Sequence, residues 1–161
     1  MSQILDRPRD IATPPAAGRG RPGPVVLATL SVRIDANAER VAFESAIEAG
    51  VALVVANMIT MPSYPTTLML APEFMTLPHE EDLDEVRATA ARAAARGVET
   101  ELLRITSRRP IRALLELVSE RRAGLLVLGP DVRLISRMRL RAATRLVRRR
   151  AECLVWIVPD G

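Results

Sequence analysis

Five short apolar runs, four of them followed by a segment with helix start and stop signals, leave this chain very few ways to fold. The runs are VVLATL (25–30), VALVVANM (51–58), VETELLRI (98–105), LLVL (125–128) and LVWIV (154–158). Each has the length of a strand and falls short of a typical helix. The second is apolar but for Asn57, as expected of a strand covered on both faces. The third alternates at its start, which suits a strand nearer a sheet edge.

The segments between the runs carry helix punctuation. Asp35 is a good N-cap for ANAERVAFESAIEA, and Gly50 stops that helix. LDEVRATAARAAAR (83–96) has acids in its first turn, which complement the helix dipole, and Gly97 just past its end. Pro110 opens a third helix where a missing N–H costs nothing. Its expected core face is Ile111, Leu114, Leu115 and Val118, spaced i, i+3, i+4, i+7, with a stop at Gly124. A fourth helix is expected from Ser136 to Arg150, with Leu140, Ala143 and Val147 turned inward. Strand alternating with helix in this way implies an α/β, Rossmann-like fold: a five-stranded parallel sheet with helices on both faces. Ligands of such sheets sit beyond the strand C-termini, where the strand order reverses. Here that means Leu30–Ser31 and Gly129.

Two segments fall outside the rhythm. Residues 1–24 contain five prolines and little periodicity, and read as a flexible basic arm ahead of one domain spanning 25–161. The connection 59–81 holds four prolines and many apolar residues, among them Met61, Tyr64, Leu68, Phe74 and Leu77. A connection this long inside a compact domain either folds over its own domain or meets a partner.

Much chemistry is excluded by scarcity. Cys153 is the only cysteine and His79 the only histidine, so neither an intramolecular disulfide nor a zinc cluster is expected. Cys153 reads as a small core residue. No motif supports Ser136 or Cys153 as a nucleophile paired with His79, and nothing suggests catalysis. The acids Glu80, Glu81, Asp82, Asp84 and Glu85 read as a solvated helix start. No apolar run reaches the roughly 18 residues of a membrane span. The N-terminus lacks a secretory apolar stretch, so a cytoplasmic protein is expected.

All 23 basic residues are arginine, a uniformity that points to genome composition and lowers the weight of any single one. Arg137, Arg141, Arg145 and Arg149 nevertheless form one stripe on the fourth helix, joined by Arg133, Arg139, Arg148 and Arg150. The stripe is preferred as a solvated face; as a nucleic-acid site it lacks aromatic neighbours for stacking. Any such binding is expected to be weak, nonspecific and steeply salt-dependent.

The most suggestive stretch is LGPDVRLIS (128–136), where a strand runs into Gly129 and a helix N-terminus follows, an arrangement that often presents amides to a phosphate. AGLLVLG (123–129), the closing strand RAECLVWIVP (150–159) and the proline that opens the third helix together resemble the universal stress protein family, over about residues 25–159. The resemblance implies the strand order 3-2-1-4-5 and a homodimer. It also implies that nucleotide-binding members carry Gly-x-x-Gly, nine residues, then Gly-Ser or Gly-Thr, plus an Asp ending the first strand. This chain keeps Gly129 but has Val132 at the second glycine, Ala142-Ala143 at the later pair, and Leu30-Ser31 ending the first strand. Valine disfavours a positive φ and fills space, and alanine donates no hydrogen bond.

The resulting expectation is a non-enzymatic stress-response or regulatory protein with no cofactor, no bound ATP and no membrane contact. Its degenerate nucleotide site would comprise Leu30, Ser31, Gly129, Val132, Arg133, Ser136, Arg137, Ala142 and Ala143. Two alternatives stand beside it. One is an adenine-nucleotide binder using Arg133, Ser136 or Arg137; the other is a weak nucleic-acid binder using the stripe and the arm. Dimerisation is expected through Val155, Trp156 and Ile157, because LVWIV would lie at a sheet edge without charge or proline.

Overall fold

The computed structural model describes residues 22–61 and 80–159. The arm through Arg21, the part of the 59–81 connection that includes Tyr64, Phe74 and His79, and the last two residues lie outside the described residues. The elements are β1 (Val25–Thr29), α1 (Ala36–Ala49), β2 (Leu53–Thr60), α2 (Glu80–Ala95), β3 (Thr100–Ser107), α3 (Pro110–Glu120), β4 (Leu125–Leu128), α4 (Arg137–Arg150) and β5 (Leu154–Ile157). All strand pairings are parallel, and the order is β3-β2-β1-β4-β5 as expected.

Successive side chains of the inner strands point to opposite faces, and each face has its own core. Val26, Ala28, Val54, Ala56, Leu126 and Leu128 pack under α3 and α4. Val25, Leu27, Leu53, Val55 and Val127 pack under α1 and α2 with Phe43 and Val86. Many residues of the inner strands, Val26, Leu27, Val55 and Val127 among them, have no solvent exposure, which accounts for the largely apolar sequence of the central strands. The helices on the second face are also joined at the surface: Arg92 of α2 grips Glu39 of α1 with two hydrogen bonds, 2.8 and 2.7 Å, and Thr89 adds a third at 3.0 Å.

Most caps form where the sequence places them. The Asp35 carboxylate accepts from Asn37 N (2.9 Å) and Ala38 N (3.3 Å), Ser136 Oγ accepts from Arg139 N (3.2 Å), and Gly50 and Gly97 take left-handed φ values of 62° and 79°. Two expectations for α3 need correction. Its buried residues are Leu114, Leu117 and Val118, with Ile111 at the core margin; Leu115 joins neither core cluster. The inward stripe is rotated toward Leu117 because α3 must also meet β2 and β3. Nor does Gly124 end the helix. Arg122 takes the left-handed conformation (φ 49°), while Ala123 N donates to Val118 O at 3.0 Å. Gly124 instead lies against the incoming chain, where its N–H donates to Pro24 O at 3.0 Å. Helix α2 starts at Glu80, earlier than Leu83, so Glu80, Glu81 and Asp82 form its first turn.

Candidate functional site

Strand order reverses between β1 and β4, so the switch-point crevice opens between the loops that follow them. Those loops are fastened together. Ile34 and Pro130 form an isolated antiparallel bridge, Asp35 N donates to Gly129 O, and Asp131 N donates to Arg33 O, each bond 2.9 Å.

At the centre sits Asp131, only 3% exposed. Its carboxylate accepts from Arg133 N, Arg133 Nε and Nη2, and Arg33 Nε, all at 3.1 Å. The Arg133 side chain, followed by that residue's amide and Arg33, holds the Asp131 carboxyl below the usual aspartate range against the opposing effect of burial. A backbone amide and two guanidinia converging on an anion are what a phosphate needs. In this protein the anion is part of the chain. Asp131 was not evident as a site residue from sequence; the available signal was an aspartate after proline, a residue type that accepts from the N–H two positions on.

The expected site residues fare unequally. Leu30 is buried in the core. Ser31, in the turn just after β1, has φ 62°, and its hydroxyl donates to Met58 O (3.2 Å) and accepts from Thr60 N (3.3 Å), so the side chain holds the strained turn. Thr60 in turn receives a hydrogen bond from Arg139 of α4. Gly129 does not adopt a positive φ. Its role is spatial: a Cβ there would lie 2.0 Å from Ala38 Cβ, so glycine lets the first turn of α1 rest on the end of β4. Val132, expected to obstruct the loop, is half-buried and packs against the core. The group that fills the loop is Asp131. Arg133 and Ser136 stand at the loop, and Arg137 opens α4 beside them. Ala142 and Ala143 are not brought to it: six residues past Ser136 is about 9 Å along a helix, Ala142 faces solvent and Ala143 is buried in the core.

Arg137, Arg145 and Arg149 are exposed, as the solvated-face reading requires, and no acidic side chain interrupts α4. Among the described residues no three of His, Cys, Asp and Glu converge as a metal site, and no helix is long and apolar enough to cross a membrane. Cys153 is half-buried at the core margin, and burial pushes its thiol up. At the far end of the sheet, β5 pairs with β4 on one side only among the described residues; Val155, Trp156 and Ile157 are half-buried and Leu154 is 74% exposed.

A family model for the universal stress protein family matches residues 24–159. The chain belongs to that family. Solved structures agree on the fold. A universal stress protein in complex with cAMP is 24% identical, with a TM-score of 0.59, over 86% of this chain and 99% of that one. The universal stress protein UspA from Lactobacillus plantarum is 16% identical with a TM-score of 0.67, over 86% and 99%. The universal stress protein from Archaeoglobus fulgidus in complex with dAMP is 20% identical with a TM-score of 0.57, over 86% and 99%. At these identities the likeness carries the fold and not the ligand. No curated protein matches the sequence.

Proposed function

We propose that this universal stress protein is a non-enzymatic, dimeric regulator of the stress response that works without a bound nucleotide. The observation that carries the reading is Asp131, a buried internal carboxylate that already occupies the Arg133 amide and guanidinium of the β4–α4 loop and the Arg33 guanidinium from the β1–α1 connection. A phosphate entering there would have to displace it or lie beside it, against like charge. The adenine-nucleotide reading draws support from the relatives solved with cAMP and dAMP. Against it, Arg133 is already engaged by Asp131, and the Ser136 hydroxyl already caps α4.

The test is a thermal melt with saturating Mg-ATP, AMP and cAMP in turn. A ligand at 100 times its dissociation constant adds about 2.7 kcal/mol, which raises the melting temperature of a domain this size by roughly 5–10 °C. No such shift is expected; one of that size, or adenine nucleotide carried through purification, refutes the reading. The dimer is supported by the unpaired edge of β5 and its apolar side chains. Sedimentation at micromolar concentration should show a dimer for the native chain and a monomer for Trp156→Arg.

A further inference from the structure

The seam between α3 and α4 holds an open groove, apolar at the end where α3 begins and of mixed polarity beyond Leu115, that neither the switch-point loops nor the β5 edge uses. One part, about 480 Å³, has a floor of Pro110, Ile111, Leu115 and Leu146 and a rim of Arg109, Arg112 and Arg150. A second part, about 370 Å³, continues from Leu115 and Arg150 to Ser119, Arg122 and Cys153. The two share Leu115 and Arg150, so the groove follows α3 for much of its length. An 11-residue helix is about 16 Å long. Leu115 and Leu146 face each other across the seam yet belong to neither core cluster. They are half-buried apolar side chains with room above them.

The rim decides what can fill that room. Arg109, Arg112, Arg122 and Arg150 are all exposed, whereas Glu152 is the one acid among the described residues that line the groove. Arg112 has a partner, Glu116 at 3.1 Å. Beyond Arg150, the whole of α4 is free of acids. A surface that is apolar along its centre and cationic along its edges is complementary to an amphipathic helix with apolar residues on one stripe and Asp or Glu beside it. Nucleic acid matches the rim but not the floor, and Phe43 and Trp156, the aromatics of the described residues, lie in the core and on β5. The chain's own arm is a poor occupant, because Arg7, Arg9, Arg19 and Arg21 outnumber Asp6 and Asp10. We infer that the α3–α4 groove is a docking site for an acidic amphipathic helix of a partner protein.

The inference is tested by fluorescence anisotropy on the full chain. The probe is a labelled 18-residue peptide with leucines at i, i+3, i+4, i+7 and glutamates on the flanks; a second peptide has the same composition with the leucines scattered. At 150 mM salt the striped peptide should bind at least about tenfold more tightly than the scattered one, a difference of about 1.4 kcal/mol. Leu146→Gln should remove about that advantage. Arg112→Glu with Arg150→Glu, both on the surface and independent of the core, should weaken the striped peptide and favour a version with lysine in place of glutamate. Equal binding of the striped and scattered peptides, indifference to the charge reversal, or tighter binding of a 20-base-pair DNA duplex than of the striped peptide would each overturn it. None of these readouts involves a nucleotide, so the result is independent of the melts with ATP.

Discussion

Asp131→Asn isolates the internal anion with almost no change of shape. The amide oxygen can still accept from Arg133 N, so the turn of the loop survives. What goes is the charge that holds Arg133 Nε and Nη2 and Arg33 Nε, each at 3.1 Å. The Asp131 side chain is 5% exposed, but those of Arg33 and Arg133 are 45% and 79% exposed, so both guanidinia can turn to water. The ion pairs are therefore counted at the low end. Neutralising the buried carboxylate should cost about 1–2 kcal/mol, a fall in melting temperature of roughly 3–8 °C. The pH dependence has a definite sign. Arg133 and then Arg33 hold the folded-state pKa of Asp131 below its unfolded value of about 3.9. The stabilisation is thus fully present above that value and is lost as pH falls through the folded one. Paired melts of the native chain and the variant should differ at pH 7 and 5 and converge progressively as pH falls below about 3.9. Indistinguishable melts at pH 7, or a gap unchanged at pH 3, would refute the reasoning. Asp131→Gly extends the test to function: with the internal anion gone, inorganic phosphate should stabilise the variant saturably and leave the native protein unaffected.

Three further outcomes follow from packing and backbone geometry. Gly129→Ala should cost about 2–3 kcal/mol in urea unfolding, because the new Cβ meets the rigid Ala38 Cβ at 2.0 Å, and Ala38→Gly in the same chain should recover part of the loss. Arg122→Gly should stabilise by about 0.5 kcal/mol, relief of the left-handed strain at φ 49° outweighing the added freedom of the unfolded chain. Burial acts to raise the Glu39 carboxyl, but Arg92 and Thr89 together hold it below the ordinary range, so Glu39→Gln should cost about 1 kcal/mol at neutral pH and progressively less as pH falls below about 4.3.

The fold was legible because its signals are local and repeated. Asp35, Gly50, Gly97, Pro110 and Ser136 each do their work within four residues, so a reader of the sequence needs no three-dimensional information to place them. The misreadings begin where a second element decides. Leu115 and Leu117 are equally apolar, and only the position of α4 and the sheet determines which of them is core. Ser31 gives no sign of a positive φ in its residue type; the strain is held by Met58 and Thr60 on the neighbouring strand. Asp131 is the extreme case, since Arg33, one of its two guanidinium partners, is 98 positions away along the chain.

The same distinction between local and distant constraints explains the form of the incomplete nucleotide motif. Its first glycine is present and the other determinants are replaced, which looks arbitrary if the motif is considered only as a phosphate site. The structure separates the two roles. Gly129 is fixed by α1, whose Ala38 would meet any side chain at that position whether or not a ligand is bound. Val132 can turn toward the core, and Ala143 lies in it, so both positions accept apolar residues once no phosphate has to be met. Under the proposed reading without a nucleotide, the loop would have an unsatisfied amide and nearby cations, and an aspartate two residues before that amide answers both. Asp131 thus gives the loop an anion that cannot diffuse away, and the bridge between Ile34 and Pro130 can persist without a ligand to hold the two loops together.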